Sequence, residues 1–133
     1  MHDSDQYWDL TMSIAENLRP EFGSALVDDV RLIKSAGVRT DRDRDMNLET
    51  ICAAAAALIA FISLAFDVWK EFREHGRPRD KTEEVPRLDE TYFSRFEERS
   101  RMWMEDQGPL DRAVHLRIYE RTVEFIRTRR RLE

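Results

Sequence analysis

The strongest constraint on this fold is one uncharged, apolar run inside a highly charged chain. Residues 51–66 read ICAAAAALIAFISLAF and hold no charged side chain, whereas 37% of the whole chain is Asp, Glu, Lys or Arg. A helix that is apolar on every side has to be buried. We therefore expect the rest of the chain, a partner protein or lipid to cover this segment.

Glycines and prolines separate the periodic segments and predict the helices of an all-α fold. All four glycines and all four prolines lie between such segments, where helices stop and start. The predicted fold is a five-helix bundle with one long, central, Ala-rich apolar helix and a helical hairpin at the C-terminus. We expect Pro20 to end the first helix and Pro109 to begin the last. The five helices are predicted at about 4–19, 24–36, 47–75, 89–107 and 109–130.

The length of the chain predicts a single helical domain over 1–133, since 133 residues is an ordinary domain size. The connection over 77–88, RPRDKTEEVPRL, is polar and holds two prolines. It predicts a hinge between a first part, 1–76, and a second part, 89–133.

Charge is distributed unevenly along the chain. The net charge is −5, yet residues 109–133 hold seven arginines against four acids. Residues 1–29 hold seven acids and one arginine. This polarity predicts that the N- and C-terminal helices pack side by side or pair between copies. An acidic chain is a poor general binder of nucleic acid, so we expect no nucleic-acid partner.

Three sequence features bear on localisation. The first 20 residues lack an apolar stretch, which predicts no signal peptide, and the single cysteine, Cys52, fits a reducing compartment. The run from Thr50 to Phe66 would span roughly 25 Å as a helix, short of a hydrocarbon core of about 30 Å. We expect a cytoplasmic protein, with membrane association as the alternative.

Small residues recur along the apolar helix at a spacing that lets two helix backbones approach closely. Ala56 and Ala60, like Ala53 and Ala57, are four residues apart. The apolar surface of this helix extends all round it and exceeds what packing against the four other predicted helices requires. This excess favours a protein partner or a homo-oligomer. The predicted partner or self-interface consists of Ala53, Ala57, Ala60, Phe61, Leu64 and Trp69.

Two further groups of residues are candidate contact surfaces. The first group is an aromatic stripe, a pattern typical of a core. If the second part, 89–133, detached at the hinge, this stripe could instead insert into a groove of a partner. A basic docking patch near the C-terminus could bind an acidic partner or phosphate, although cations at a helix C-terminus are also simply favourable. The stripe is Tyr92, Phe93, Phe96 and Trp103, and the patch is Arg127, Arg129, Arg130 and Arg131.

Motifs for catalysis and for metal binding are missing from the sequence. It contains no HExxH, no ExxH, no Cys/His cluster, no P-loop and no nucleophile motif, so we expect no enzyme activity, no metal and no cofactor. Acids at alternate positions in 40–49 resemble a calcium loop, but the interleaved arginines favour a solvated loop instead. Asp28 and Asp29 are expected to form an exposed helix turn.

The sequence therefore favours a non-enzymatic helical interaction protein, an adaptor or small subunit of a larger bacterial assembly. In its general plan, a small all-α protein with one Ala-rich apolar helix, the chain is similar to accessory proteins of bacterial defence and toxin–antitoxin operons. This likeness rests on no motif. The alternative is a membrane-active effector that inserts the helix over 51–66.

Overall fold

The computed structural model describes the backbone of residues 2–36, 46–75 and 90–128, and the side chains of 6–35, 50–72 and 90–128. All regular secondary structure in these ranges is helical, which confirms the predicted all-α class. The helices are α1 (His2–Asn17), α2 (Arg19–Phe22), α3 (Ser24–Ala36), α4 (Met46–His75), α5 (Glu90–Gln107) and α6 (Arg112–Arg127).

The long apolar helix α4 lies at the centre of the bundle. It contacts α1, α3, α5 and α6, and α1 also packs on α3. Leu58, Phe61, Ile62 and Ala65 on its buried side are fully inaccessible to solvent. The burial that an apolar helix requires is thus supplied on this side by the chain's own helices.

The described residues form six helices and not the predicted five, because Pro20 does not end the first helix. α1 ends at Asn17, before the proline, and Pro20 lies in the first turn of the short helix α2. A proline costs little there, since the first N–H groups of a helix have no partner within it. Gly23 follows with a φ of 72° and allows the chain to turn into α3.

The C-terminal helices form an antiparallel hairpin. At its open end Arg127, on the last turn of α6, lies 3.2 Å from a carboxylate oxygen of Glu90, the first residue of α5. At the other end a short turn with Gly108 at a φ of 86° joins the helices. Pro109 lies in this turn, so the helix begins three residues later than predicted, at Arg112. The predicted hinge at 77–88 lies outside the described residues.

Candidate interaction surface

One side of α4 is left partly uncovered by the other described helices. We call Ala53, Ala56, Ala60, Ser63 and Asp67 the outer strip; they recur every three or four residues and so share one side of the helix. Ala56 and Asp67 are exposed, and the other three are half-buried. The strip is therefore a narrow surface of small side chains, with a carboxylate towards one end.

Helix α1 closes one border of the outer strip through Tyr7. Its hydroxyl donates to the carbonyl oxygen of Ile59 at 3.0 Å and lies 2.8 Å from the Ser63 hydroxyl. Burial raises the pKa of the Tyr7 phenol, the hydrogen bond with Ser63 lowers it and the charge of Asp67 raises it, with a net increase. The phenol thus stays neutral and can donate at any physiological pH.

Helix α5 borders the strip on the other side through ion pairs with Glu71. Arg99 Nη2 lies 2.7 Å from one carboxylate oxygen and Arg95 Nε lies 3.4 Å from the other. Partial burial opposes ionisation of this carboxyl, but the two arginines outweigh it and hold the pKa of Glu71 below its usual value. These pairs fix α5 beside α4 without covering the strip.

The opposite charges of the two chain ends meet within one molecule. Arg117 of α6 donates two hydrogen bonds, both 2.7 Å, to the two carboxylate oxygens of Glu21 in α2. Arg121, one turn further along α6, donates to the side-chain oxygen of Asn17 at 3.0 Å. The charge pattern predicted either side-by-side packing of the two chain ends or pairing between copies. The Glu21–Arg117 contact is an example of the first, within one molecule.

The residues predicted as a partner interface fall into two groups. Ala57, Phe61 and Trp69 are at most 1% exposed and belong to the internal core, so they do not form a surface of this chain. Ala53, Ala60 and Leu64 are half-buried and lie at or beside the outer strip. Ala56, the most exposed apolar residue of the strip, was not among the predicted residues. The four-residue spacing of Ala56 and Ala60 was the available signal for it.

The aromatic stripe lies against α4. Tyr92 and Phe96 are fully buried, Phe93 is 5% exposed and Trp103 is half-buried. The Tyr92 hydroxyl donates to the carbonyl oxygen of Ala65 at 2.8 Å, and burial raises the pKa of this phenol strongly. In this arrangement Tyr92, Phe93 and Phe96 belong to the core and are not available to a partner, whereas Trp103 is partly covered.

Only Arg127 of the predicted basic patch is described by the structure. Besides its contact with Glu90, its guanidinium carbon lies 4.2 Å from the centre of the Phe93 ring, a cation–π distance. Both contacts hold the open end of the hairpin together. Arg129, Arg130 and Arg131 lie outside the described residues.

The calcium-like segment over 40–49 lies outside the described side chains. Within the described ranges no three His, Cys, Asp or Glu side chains cluster to hold a metal.

The predicted exposed turn at Asp28 and Asp29 is confirmed for the first residue and wrong for the second. Asp28 is exposed, whereas Asp29 is only 7% exposed. The reason is helical spacing, since Asp29 lies three residues after the buried Leu26 and shares its side of α3.

Comparison of the chain with protein-family models, curated proteins and solved structures finds no match. In the described part of the chain, one helical segment, Thr50–Phe72, is long and apolar enough to cross a membrane. It has 23 residues and a mean hydropathy of 2.3, and half of its most apolar window is buried inside the fold. The core helix of a soluble protein meets the same criteria, so this property is weak support for membrane insertion.

Proposed function

We propose that this chain is a helical interaction protein, an adaptor or small subunit of a larger assembly, which uses the outer strip of α4 to bind a helix of another protein molecule. The observation that supports this proposal is that the other described helices leave one side of the apolar helix α4 partly uncovered. Polar contacts border this side of α4: Tyr7 of α1 contacts Ser63, and Arg99 of α5 pairs with Glu71.

The side chains of the strip suit close helix packing. Ala56 and Ala60 project only a methyl group, so a second helix can approach the α4 backbone closely. Alanine loses no rotamer freedom on binding, which lowers the entropic cost of association. Ser63 and Asp67 add hydrogen-bonding groups at one end of the strip, and these could fix the register of a partner helix.

A matched pair of variants tests this proposal. Ala56→Arg places a long, charged side chain on the outer strip, and Ser94→Arg places the same side chain on the exposed side of α5. Arginine is a good helix former, so both variants should fold. Size exclusion with light scattering, on purified protein and on tagged protein in an extract of its source cells, should show an assembly larger than the 15.9 kDa chain.

We expect Ala56→Arg to dissociate this assembly and Ser94→Arg to leave it intact. The proposal would be wrong if the wild-type chain ran as a 15.9 kDa monomer in both samples. It would also be wrong if Ala56→Arg left the assembly unchanged.

The second candidate function is a membrane-active effector located at a lipid bilayer, and the length and apolarity of Thr50–Phe72 favour it. At about 1.5 Å per residue, 23 residues extend roughly 34 Å, enough for a hydrocarbon core of about 30 Å. Against it, Asp67, Lys70 and Glu71 lie within this span, and insertion would have to break the contacts of Glu71 with α5. We therefore favour the interaction protein in the cytoplasm.

Liposome flotation separates the two candidates. The interaction protein should remain in the soluble fraction with neutral and with anionic vesicles, and an insertion-active effector should float with them. Flotation that Ala56→Arg abolishes would favour the effector, because a charged side chain on α4 opposes burial in lipid.

A further inference from the structure

A buried histidine, His115, lies near the turn that joins α5 to α6. His115 lies in the first turns of α6, is 5% exposed, and its ring centre is 4.9 Å from the ring of Trp103 on α5. Trp103 in turn packs edge-on against Phe61 of α4, with centroids 5.2 Å apart. The imidazole therefore belongs to a continuous aromatic contact that joins α6 to the central helix.

The surroundings of His115 suit a neutral imidazole and do not suit a cation. Its Nδ1 atom is buried and has no hydrogen-bond partner in the described part of the chain. The positive end of the α6 dipole also disfavours a cation near this first turn. Protonation would bury a charge in the contact, and the cost of desolvating that charge exceeds the weak attraction between a cation and an aromatic ring.

Two charged groups act on this imidazole among the described residues, both from its own end of α6. Burial lowers the pKa of His115, Asp111 raises it and Arg112 lowers it, with a net decrease. The group that α5 places beside the imidazole is the uncharged indole of Trp103. Asp111 precedes His115 by four residues and is exposed, so it offers a solvated partner to a protonated imidazole on the same side of the helix.

We propose that the His115–Trp103 contact is an acid-sensitive latch of the hairpin. At neutral pH the uncharged imidazole stays packed on the indole and the hairpin is closed. In mild acid the imidazolium leaves the indole and turns towards Asp111, which frees Trp103 near a turn where Leu110 is already 89% exposed. Acid thereby creates an apolar surface distinct from the outer strip, so this latch does not depend on the proposed function.

Nuclear magnetic resonance of the full chain tests the latch. The imidazole C–H signals of His115 and the indole N–H signal of Trp103 are followed from pH 8 to pH 4.5. We expect both to move with one midpoint below 6.5, the ordinary histidine value. His115→Gln should remove the movement of the indole signal.

A second variant keeps the test informative if His115→Gln folds poorly. Asp111→Asn keeps a good N-cap residue but removes the charge, and it should lower the shared midpoint by about 0.3 pH unit, the size of an i,i+4 charge pair. The latch is refuted if the indole signal stays fixed while His115 titrates. It is also refuted if the midpoint lies above 6.5, or if Asp111→Asn does not lower it.

Discussion

Replacing Phe61 by alanine tests whether α4 is buried as described. The Phe61 side chain is fully inaccessible and lies edge-on to two rings, with centroids 5.2 Å from Trp103 and 5.6 Å from Tyr119. Truncating a buried phenylalanine costs about 3–5 kcal/mol, and each aromatic pair contributes roughly 0.5–1.5 kcal/mol beyond its buried area. We expect the free energy of unfolding to fall by about 4–5 kcal/mol, a large part of the roughly 5–15 kcal/mol of a typical domain.

Urea unfolding followed by far-ultraviolet circular dichroism measures this loss. Met102→Ala is the matched control, since Met102 is 59% exposed and should change the free energy of unfolding by no more than about 0.5 kcal/mol. A loss below about 1 kcal/mol for Phe61→Ala would refute the core placement. It would instead favour the sequence-based prediction that this side chain belongs to a partner interface.

Three further outcomes follow from polar contacts. Tyr92→Phe should lower the free energy of unfolding by about 1 kcal/mol, because it removes the buried hydrogen bond from the Tyr92 hydroxyl to the Ala65 carbonyl; an unchanged value would contradict that hydrogen bond. The pKa of Glu71 is lower in the folded state, so its ion pairs stabilise the fold above pH 4.5 and are lost as the pH falls below it. Urea titrations from pH 7 to pH 3 should show a smaller loss of stability for Glu71→Gln, and identical pH dependence would contradict the pairs. Glu21→Arg and Arg117→Glu should each destabilise the fold, and the double variant should be destabilised by less than the sum of the two. A double-mutant cycle measures this difference, and additive effects would contradict the ion pair.

Periodicity and punctuation predicted most of the helices. The bounds of α3, α4 and α5 lie within one residue of those predicted at 24–36, 47–75 and 89–107. The central position of α4 followed from its apolarity alone, since a long uncharged helix in a charged chain has to be covered. The helix α2 was missed because a proline can mark either a helix end or a first helical turn.

The uncovered side of α4 was harder to predict, for a physical reason. The run over 51–66 has no polar side, so its pattern does not indicate which side faces solvent. Asp67 and Lys70, just beyond the run, mark the exposed side, and Ala56 lies on it with them. The pairing of Glu21 with Arg117 links residues 96 positions apart, which local pattern does not reveal.

The most direct test of the central claim is the chemical accessibility of position 56 on α4. In a Cys52→Ala background, Ala56→Cys and Ser94→Cys each provide one thiol on an exposed helix position. Maleimide labelling rates are compared between an extract of the cells that make the protein and the purified, diluted chain. If the outer strip binds a partner, position 56 should react slowly in the extract and quickly after purification, with position 94 fast in both. Equal rates at position 56 in the two samples would contradict the account.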